Sequence, residues 1–237
     1  MNRRTLIPLL LLSFAAPFAT AQEAKAKAKR APNPAYAAIE DTPGLPRVLL
    51  IGDSISIGYT LAVRDLLKGK ANVHRIPTNG GPTTNGVQNL DAWLGDKKWD
   101  VIHFNFGLHD LVYMGPDGAR LVDPALPGAH HQVSLADYEK NLAQIGAKVE
   151  ATGGELNWCN TTPVAPGTPG RKSDESVLFN EAAARVMKAA GVPTNDLYSH
   201  AKAKLAEVQL PQNVHFTPEG SKYLAEKVAA EIEQALP

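Results

Sequence analysis

Residues 47–56 read RVLLIGDSIS. The apolar run that ends at Gly52 is typical of a strand buried on both faces of a parallel sheet. Polar residues follow at once, before a stretch with helical periodicity over residues 59–68. A serine in this turn, Ser54, would present its hydroxyl at the sheet edge and its N–H at a helix N-terminus, which suits a nucleophile. A simple helix cap by Asp53 or Ser54 is the alternative interpretation.

The same alternation of apolar runs and amphipathic stretches continues along the chain. It predicts further strands over residues 73–77, 101–107, 155–161 and 192–197, and helices over 86–94, 134–151, 175–190 and 217–235. Ser134 and Thr217 are predicted to cap two of these helices. Strands that alternate with helices imply a parallel sheet of about five strands with helices on both faces, an α/β fold with three layers.

Polar residues follow several of the predicted strands, where sites in parallel α/β folds lie. Asn79 and Gly81 belong to the sequence NGG after the second strand, and His109 and Asp110 follow Gly107 after the third. Another histidine, His215, comes just before the last helix. Each segment alone is compatible with an ordinary turn or surface loop.

Taken together, the four segments resemble the SGNH/GDSL hydrolases over about residues 47–236. The resemblance implies a flavodoxin-like three-layer α/β/α sandwich and a serine esterase or acyl hydrolase that needs neither cofactor nor metal. It makes Ser54 the nucleophile and His215 the general base. It also assigns the oxyanion to the N–H groups of Ser54 and Gly81 and to the side chain of His109.

Two positions depart from the family's pattern. His109 stands where the family has an asparagine, and an imidazole can donate the same hydrogen bond from one nitrogen. Gln212 stands where the family has the acid that orients the histidine, and its amide oxygen could accept that N–H instead. Asp196 is a more distant candidate for this role, and a backbone carbonyl would leave a Ser–His dyad. Asp110 matches the family's own aspartate and is expected to support the site.

The departures keep other functions open. One alternative is a catalytically weakened protein of the same fold that binds a glycan or an acyl ligand. Another is phosphoryl or sulfuryl transfer that uses His109 and His215. The insertion at residues 113–133 is long for a connection between strand and helix, so it is interpreted as a substrate-specificity loop. A metal-binding loop around His130 and His131 is the alternative for that segment.

The N-terminus predicts export. Arg3 and Arg4 precede an apolar run over residues 6–18, and small residues then lead to a cleavage site near Ala21. An uncleaved membrane anchor is the alternative, but the apolar run is shorter than the roughly 20 residues that span a bilayer. We therefore expect a signal peptide at residues 1–21, a flexible Ala/Lys/Pro-rich linker at 22–45 and the folded domain at 46–237, in the periplasm or outside the cell.

The composition indicates which kinds of binding partner to expect. The chain has 24 basic and 24 acidic residues among 237, so no nucleic-acid partner is indicated. A small-molecule or carbohydrate ester is the expected partner, and the oligomeric state is left open. Cys159 is the only cysteine, which excludes an internal disulfide, and its apolar neighbours predict a buried side chain rather than a reactive thiol.

Overall fold

A computed structural model describes residues 32–237 of the chain. Its strands are β1 (Arg47–Ile51), β2 (Asn72–Arg75), β3 (Val101–Phe104), β4 (Tyr113–Met114), β5 (His130–His131), β6 (Glu155–Cys159) and β7 (Thr194–Asn195). Five of them form a parallel sheet in the order β2-β1-β3-β6-β7. The other two, β4 and β5, form a small antiparallel hairpin inside the insertion.

Seven helices cover the sheet within the described residues. They are α1 (Ser54–Leu66), α2 (Thr83–Leu94), α3 (Leu135–Glu150), α4 (Glu175–Ala189), α5 (Leu197–Lys202), α6 (Leu205–Val208) and α7 (Pro218–Ala235). One layer pairs α1 with α7, and a second layer packs α2, α3 and α4 side by side. The predicted α/β fold with a five-stranded parallel sheet is confirmed.

The predicted helix caps are confirmed, and one helix boundary is corrected. Ser134 accepts a hydrogen bond from the N–H of Asp137 at 3.1 Å, and Thr217 accepts one from Gly220 at 2.9 Å. Helix α1 begins at Ser54, not at residue 59 as predicted. The reason is the Asp53 carboxylate, which caps the helix directly after the strand.

The core lies between the sheet and its two helical layers. The strands β1 and β3 are almost entirely buried, and Phe104 packs edge-to-face on Trp158 with ring centroids 5.2 Å apart. Cys159 is fully buried, as predicted, and burial raises the pKa of its thiol well above the ordinary value. A thiol in this state is a packing residue and not a nucleophile.

The folded unit begins before the predicted boundary at residue 46. The signal peptide predicted at 1–21 and the first ten residues of the predicted linker lie outside the described residues. The rest of that linker packs on the domain: Ala35 is 1% exposed, and the Asn72 amide donates to the carbonyls of Thr42 and Leu45, each at 3.1 Å. Asn72 of β2 thus binds the backbone of this segment, and a flexible linker would not have such fixed contacts. No helix within residues 32–237 is long and apolar enough to cross a membrane.

Candidate active site

Ser54 lies at the first position of α1, directly beyond the carboxyl end of β1. Asp53 accepts a hydrogen bond from the N–H of Ile55 at 2.9 Å, which fixes the first turn of the helix. The N–H of Ser54 has no acceptor among residues 32–237. Gly52 makes the turn feasible, because a Cβ there would lie 2.8 Å from the hydroxyl of Ser56. The turn therefore holds both the hydroxyl and the N–H of Ser54 at the sheet edge.

His215 reaches Ser54 from the loop before α7. Its Nε2 lies 2.9 Å from the Ser54 hydroxyl oxygen. Its backbone N–H and its Nδ1 both contact the Oδ1 atom of Asn213, at 3.0 and 2.8 Å. A backbone N–H can only donate, so this Asn213 atom is an acceptor and Nδ1 must carry the imidazole proton. The unprotonated Nε2 is then the atom that faces Ser54.

Asn213 holds the position against Nδ1 that the sequence predicts for Gln212. Gln212 adopts a left-handed backbone, with φ at 51°, and packs its side chain over Gly167. Asp196 caps α5, where its Oδ1 accepts from the Asn160 amide at 2.7 Å and from the N–H of Ser199 at 3.1 Å. The structure therefore brings neither Gln212 nor Asp196 to His215.

The family's pattern directs attention three residues before the histidine, and this is why sequence reasoning misses Asn213. The usable signal lies two residues before it. An asparagine at that distance can accept the backbone N–H of the second residue on and thereby form an Asx turn. In this chain the same turn brings the asparagine oxygen to the imidazole ring.

His109 follows β3 and lies half-buried in the same cleft. Its Nδ1 is 3.3 Å from Nη2 of Arg120. A guanidinium has no acceptor, so Nδ1 must accept and the proton of the neutral ring is on Nε2. Burial is the main cause that lowers the pKa of His109, and the positive charges of Arg120 and Arg171 lower it further, against the opposing charge of Asp53. The ring is thus held as a neutral donor through Nε2–H.

In the segment after β2, the N–H of Gly81 is not free to bind an oxyanion as expected. Gly81 has φ at 65°, and its N–H donates to Oδ1 of Asn79 at 2.9 Å. The predicted oxyanion donor is thus occupied by a local turn. Since Oδ1 of Asn79 is an acceptor here, its Nδ2 is the free end of the amide, and Asn79 itself lines the cleft. The segment is held close to β1 because the N–H of Gly80 donates to the carbonyl of Gly52 at 2.9 Å.

Asp110 joins two of the segments that carry site residues. Its buried Oδ1 accepts hydrogen bonds from the N–H of Thr83, at 2.8 Å, and from the Thr83 hydroxyl. These bonds attach the start of α2 to the loop that carries His109. Burial raises the pKa of Asp110 to about 7. Its contacts are those of a supporting residue, since the side chain is fully buried below the cleft.

The site lies in a cleft of about 460 Å³. Its lining residues are Asp53, Ser54, Asn79, Leu108, His109, Arg120, Leu121, Thr168, Pro169, Arg171, Gln212, Asn213, Val214 and His215. The insertion interpreted as a specificity loop supplies Arg120 and Leu121. Neither of its histidines lines the cleft: His130 contacts the carbonyl of Gly128 at 3.1 Å, and His131 lies 3.2 Å from Glu175 of α4 and 4.7 Å, between ring centroids, from Tyr113. Residues 32–237 contain no group of three or more side chains suited to hold a metal.

Comparisons with known proteins give the family and the fold of the chain. The family model described as GDSL-like Lipase/Acylhydrolase matches residues 48–228. Among solved structures, the lipase/acylhydrolase from Enterococcus faecalis superposes with a TM-score of 0.65 at 19% identity, covering 81% of this chain and 98% of that one.

Two acetyl xylan esterases have similar folds. AlAXEase superposes with a TM-score of 0.63 at 13% identity, covering 78% of this chain and 99% of that one. Axe2 from Geobacillus stearothermophilus has a TM-score of 0.60 at 16% identity, with 79% and 94% covered. A search of curated proteins finds no significant match to the sequence.

Proposed function

Because the chain belongs to the GDSL-like lipase/acylhydrolase family, we propose that it hydrolyses carboxylic esters through a covalent acyl-enzyme on Ser54. One observation carries the proposal. The Ser54 hydroxyl, both ring nitrogens of His215 and the Asn213 oxygen form a continuous chain of hydrogen bonds at 2.9 and 2.8 Å. A nucleophile, a base in reach of it and a group that orients the base are the parts that acyl transfer requires.

In the first half of the reaction, Nε2 of His215 accepts the proton from Ser54 as its oxygen attacks the ester carbonyl carbon. The resulting imidazolium donates through Nδ1–H to Asn213, which stabilises it less than a carboxylate would. The tetrahedral intermediate then collapses, and His215 returns the proton to the leaving alcohol. The acyl group stays on Ser54.

The developing negative charge on the carbonyl oxygen needs fixed donors. The N–H of Ser54 at the helix N-terminus is one, and the neutral Nε2–H of His109 is a second. The third comes from the segment after β2, either through the Asn79 amide or through the Gly81 N–H once Asn79 releases it. Donors fixed before the reaction act without reorganisation, which is the largest contribution in many acyl transfers.

In the second half, water replaces the alcohol. His215 removes a proton from this water, which attacks the acyl carbonyl, and the same donors hold the second oxyanion. Collapse of that intermediate releases the carboxylic acid and restores the Ser54 hydroxyl. The two half-reactions use only these side chains, the backbone donors and water.

We propose an acetyl or other short acyl ester of a carbohydrate or small molecule as the substrate. A cleft of about 460 Å³ accommodates a short acyl group with a sugar-sized alcohol. Two of the similar solved structures are acetyl xylan esterases. Export through residues 1–21, which is part of this proposal and rests on the sequence alone, would bring such an enzyme to extracellular or periplasmic carbohydrate.

The test is hydrolysis of p-nitrophenyl acetate and butyrate by the protein, by Ser54→Ala and by His215→Ala. A fluorophosphonate probe is applied to the same three proteins, and Ser199→Ala, on the exposed side of α5, is the matched serine control. Activity and labelling that disappear with Ser54 but persist with Ser199→Ala support the proposal. If the folded protein neither hydrolyses these esters nor becomes labelled, the proposal fails, and a protein that only binds its ligand takes its place.

A further inference from the structure

Two arginines line the cleft without a carboxylate partner. Arg120 comes from the insertion and Arg171 from the loop after β6, and neither belongs to any ion pair within residues 32–237. Among the described residues, the only acid that lines the cleft is Asp53, which is 1% exposed and accepts the N–H of Ile55. The cleft therefore carries an excess of positive charge next to Ser54 and His215.

Arg171 is held rigidly. Its Nε and Nη2 both donate to the carbonyl of Leu108, at 3.1 and 2.9 Å. This pair of bonds fixes the guanidinium plane beside the residue that precedes His109. The remaining nitrogen, Nη1, donates to no residue among 32–237. This atom is not fully buried, so a ligand in the cleft can reach it. A fixed guanidinium with an accessible N–H end is prepared for an acceptor in the cleft.

The guanidinium of Arg120 also lies beside His109 in the cleft. Its Nε donates to Gln132 at 3.0 Å and its Nη2 to His109 at 3.3 Å, so the side chain is attached at two points. Both guanidinium groups therefore lie beside His109, Arg120 through its contact with the ring and Arg171 through the carbonyl of Leu108, and both charges lower the pKa of His109. Burial and the charge of Arg120 also lower the pKa of Arg171 to about 10, against the opposing charge of Asp53, so Arg171 remains charged at neutral pH.

Arg171 is half-buried, whereas Arg120 is exposed. Two cations held close together carry an electrostatic cost unless an anion joins them, and this cost is larger for the half-buried one. Within residues 32–237, the one acid that lines the cleft is Asp53, which is buried at the start of α1 and forms no ion pair with either arginine. We propose that the anion is part of the substrate: the cleft binds an ester that also carries a carboxylate, which lies between Arg171 and Arg120 while the ester carbonyl lies at Ser54. This inference rests on the proposed esterase function and specifies its substrate class.

The carboxylate is preferred as the anion because of its shape. Two oxygens in one plane match the parallel N–H groups of a guanidinium, and such paired bonds are among the strongest in proteins. The alternative role for the arginines is to stabilise the oxyanion through their charge alone. That role would accelerate neutral and anionic esters equally, so the ratio of the two rates separates the alternatives.

The experiment compares 3- and 4-acetoxybenzoate with the matching acetoxybenzamides, which replace the carboxylate by a neutral amide. The quantity measured is the ratio of kcat/KM for the acid to that for the amide. Hydrogen bonds to a charged group predict a ratio of about 10–100 for the protein, in at least one ring position. Arg171→Met is expected to bring the ratio close to 1, and Arg120→Met to lower it about tenfold. Added salt is expected to lower the ratio of the unchanged protein.

The control variant is Arg185→Met, which removes an arginine on α4 that pairs with Glu139 outside the cleft. Its ratio is expected to equal that of the unchanged protein. A ratio near 1 in the unchanged protein, or a high ratio that survives both Arg171→Met and Arg120→Met, overturns the anion site. The salt titration needs no variant, so the inference stays testable if Arg171→Met fails to fold.

A protein that hydrolyses neither ester would contradict the proposed function, which is a different failure. The anion site is then tested without turnover, by calorimetric titration of Ser54→Ala with the acids and the amides. Binding of the acids at least tenfold tighter than of the amides, abolished by an added Arg171→Met, supports the site. Equal affinities for acid and amide overturn it.

Discussion

Two histidines line the cleft, and the structure prepares them for opposite tasks. His215, in the exposed loop before α7, places Nδ1 against an oxygen of Asn213 at 2.8 Å. His109, half-buried after β3, places Nδ1 against a nitrogen of Arg120 at 3.3 Å. The first neighbour is an acceptor and the second is a donor, so the proton lies on Nδ1 of His215 and on Nε2 of His109.

The difference shows that the neighbour, and not the histidine, determines the chemistry available at Nε2. At His215 this atom is an unprotonated base that faces Ser54, whereas at His109 it is an N–H donor. The comparison also explains how a histidine can stand where related proteins have an asparagine. A neutral imidazole supplies one N–H donor, provided that a second residue fixes the tautomer and keeps the ring uncharged.

The largest expected losses of activity come from removing each imidazole ring in turn. His215→Ala is expected to lower kcat for p-nitrophenyl acetate by about 10⁴–10⁶-fold, because the nucleophile loses its base. His109→Ala is expected to cost about 10²–10³-fold, which is the loss of one oxyanion donor. Equal losses in the two variants, measured by steady-state kinetics on folded protein, would contradict the division of roles.

Substitution of Asn213, the hydrogen-bond partner of His215, has the next largest expected effect on kcat. Asn213→Ala removes the acceptor that fixes both the tautomer and the ring position, and an expected loss of about 10²-fold in kcat follows from misplacing the base. Asn213→Asp retains an oxygen for Nδ1–H and should recover most of the activity. Gln212→Ala is the matched control, since Gln212 makes no hydrogen bond to the ring in this structure. A larger loss in Gln212→Ala than in Asn213→Ala would make Gln212 the residue that orients His215.

The partner of His109 should have a smaller effect that depends on pH. Arg120→Met removes a positive charge, so the pKa of His109 rises and more of the ring is charged at mildly acidic pH. The expected result for a neutral ester is about a tenfold lower kcat/KM at pH 8, where the neutral ring is free to place its proton on Nδ1, and a smaller loss at pH 6, where the charged ring carries Nε2–H in any case. Arg120→Lys keeps a donor for Nδ1 and should lose less activity at pH 8. Nitrogen NMR of His109 measures the tautomer directly, and an unchanged spectrum in Arg120→Met would contradict this account.

The sequence carries much of this architecture. Apolar runs such as residues 47–52 locate the strands because a parallel sheet is buried on both faces, and polar residues at the strand ends locate the site. The same pattern identifies Ser54, His109 and His215 as candidate site residues. It leaves the order of strands open, since local periodicity holds no information about which strands pair.

The partners of the two histidines could not be predicted in the same way. Asn213 depends on a turn whose preceding residue, Gln212, has an unusual positive φ. Arg120 depends on how the β4–β5 hairpin folds back over the loop after β3. Arg171 reaches a carbonyl 63 residues away in the chain. Contacts of this kind arise from tertiary packing between loops, where neither periodicity nor motif spacing applies.

The smallest expected effect concerns stability and the residue after His109. Asp110 has its pKa raised to about 7 by burial, whereas its ordinary value is 3.8. Between these two values the folded state binds a proton that the unfolded state releases, so the folded state gains stability at acidic pH. This contribution is complete below about pH 4 and is lost as the pH rises through 7.

Urea unfolding at pH 5 and pH 8 measures this loss. The free energy of unfolding should fall by on the order of 2 kcal/mol more in the unchanged protein than in Asp110→Asn. An asparagine keeps an oxygen for Thr83 but does not titrate, so it removes the pH dependence while it preserves the attachment of α2 to the His109 loop. Equal slopes in the two proteins would show that Asp110 is ionised in the fold at both pH values, and the neutral His109 would then face a buried negative charge beside it in the chain.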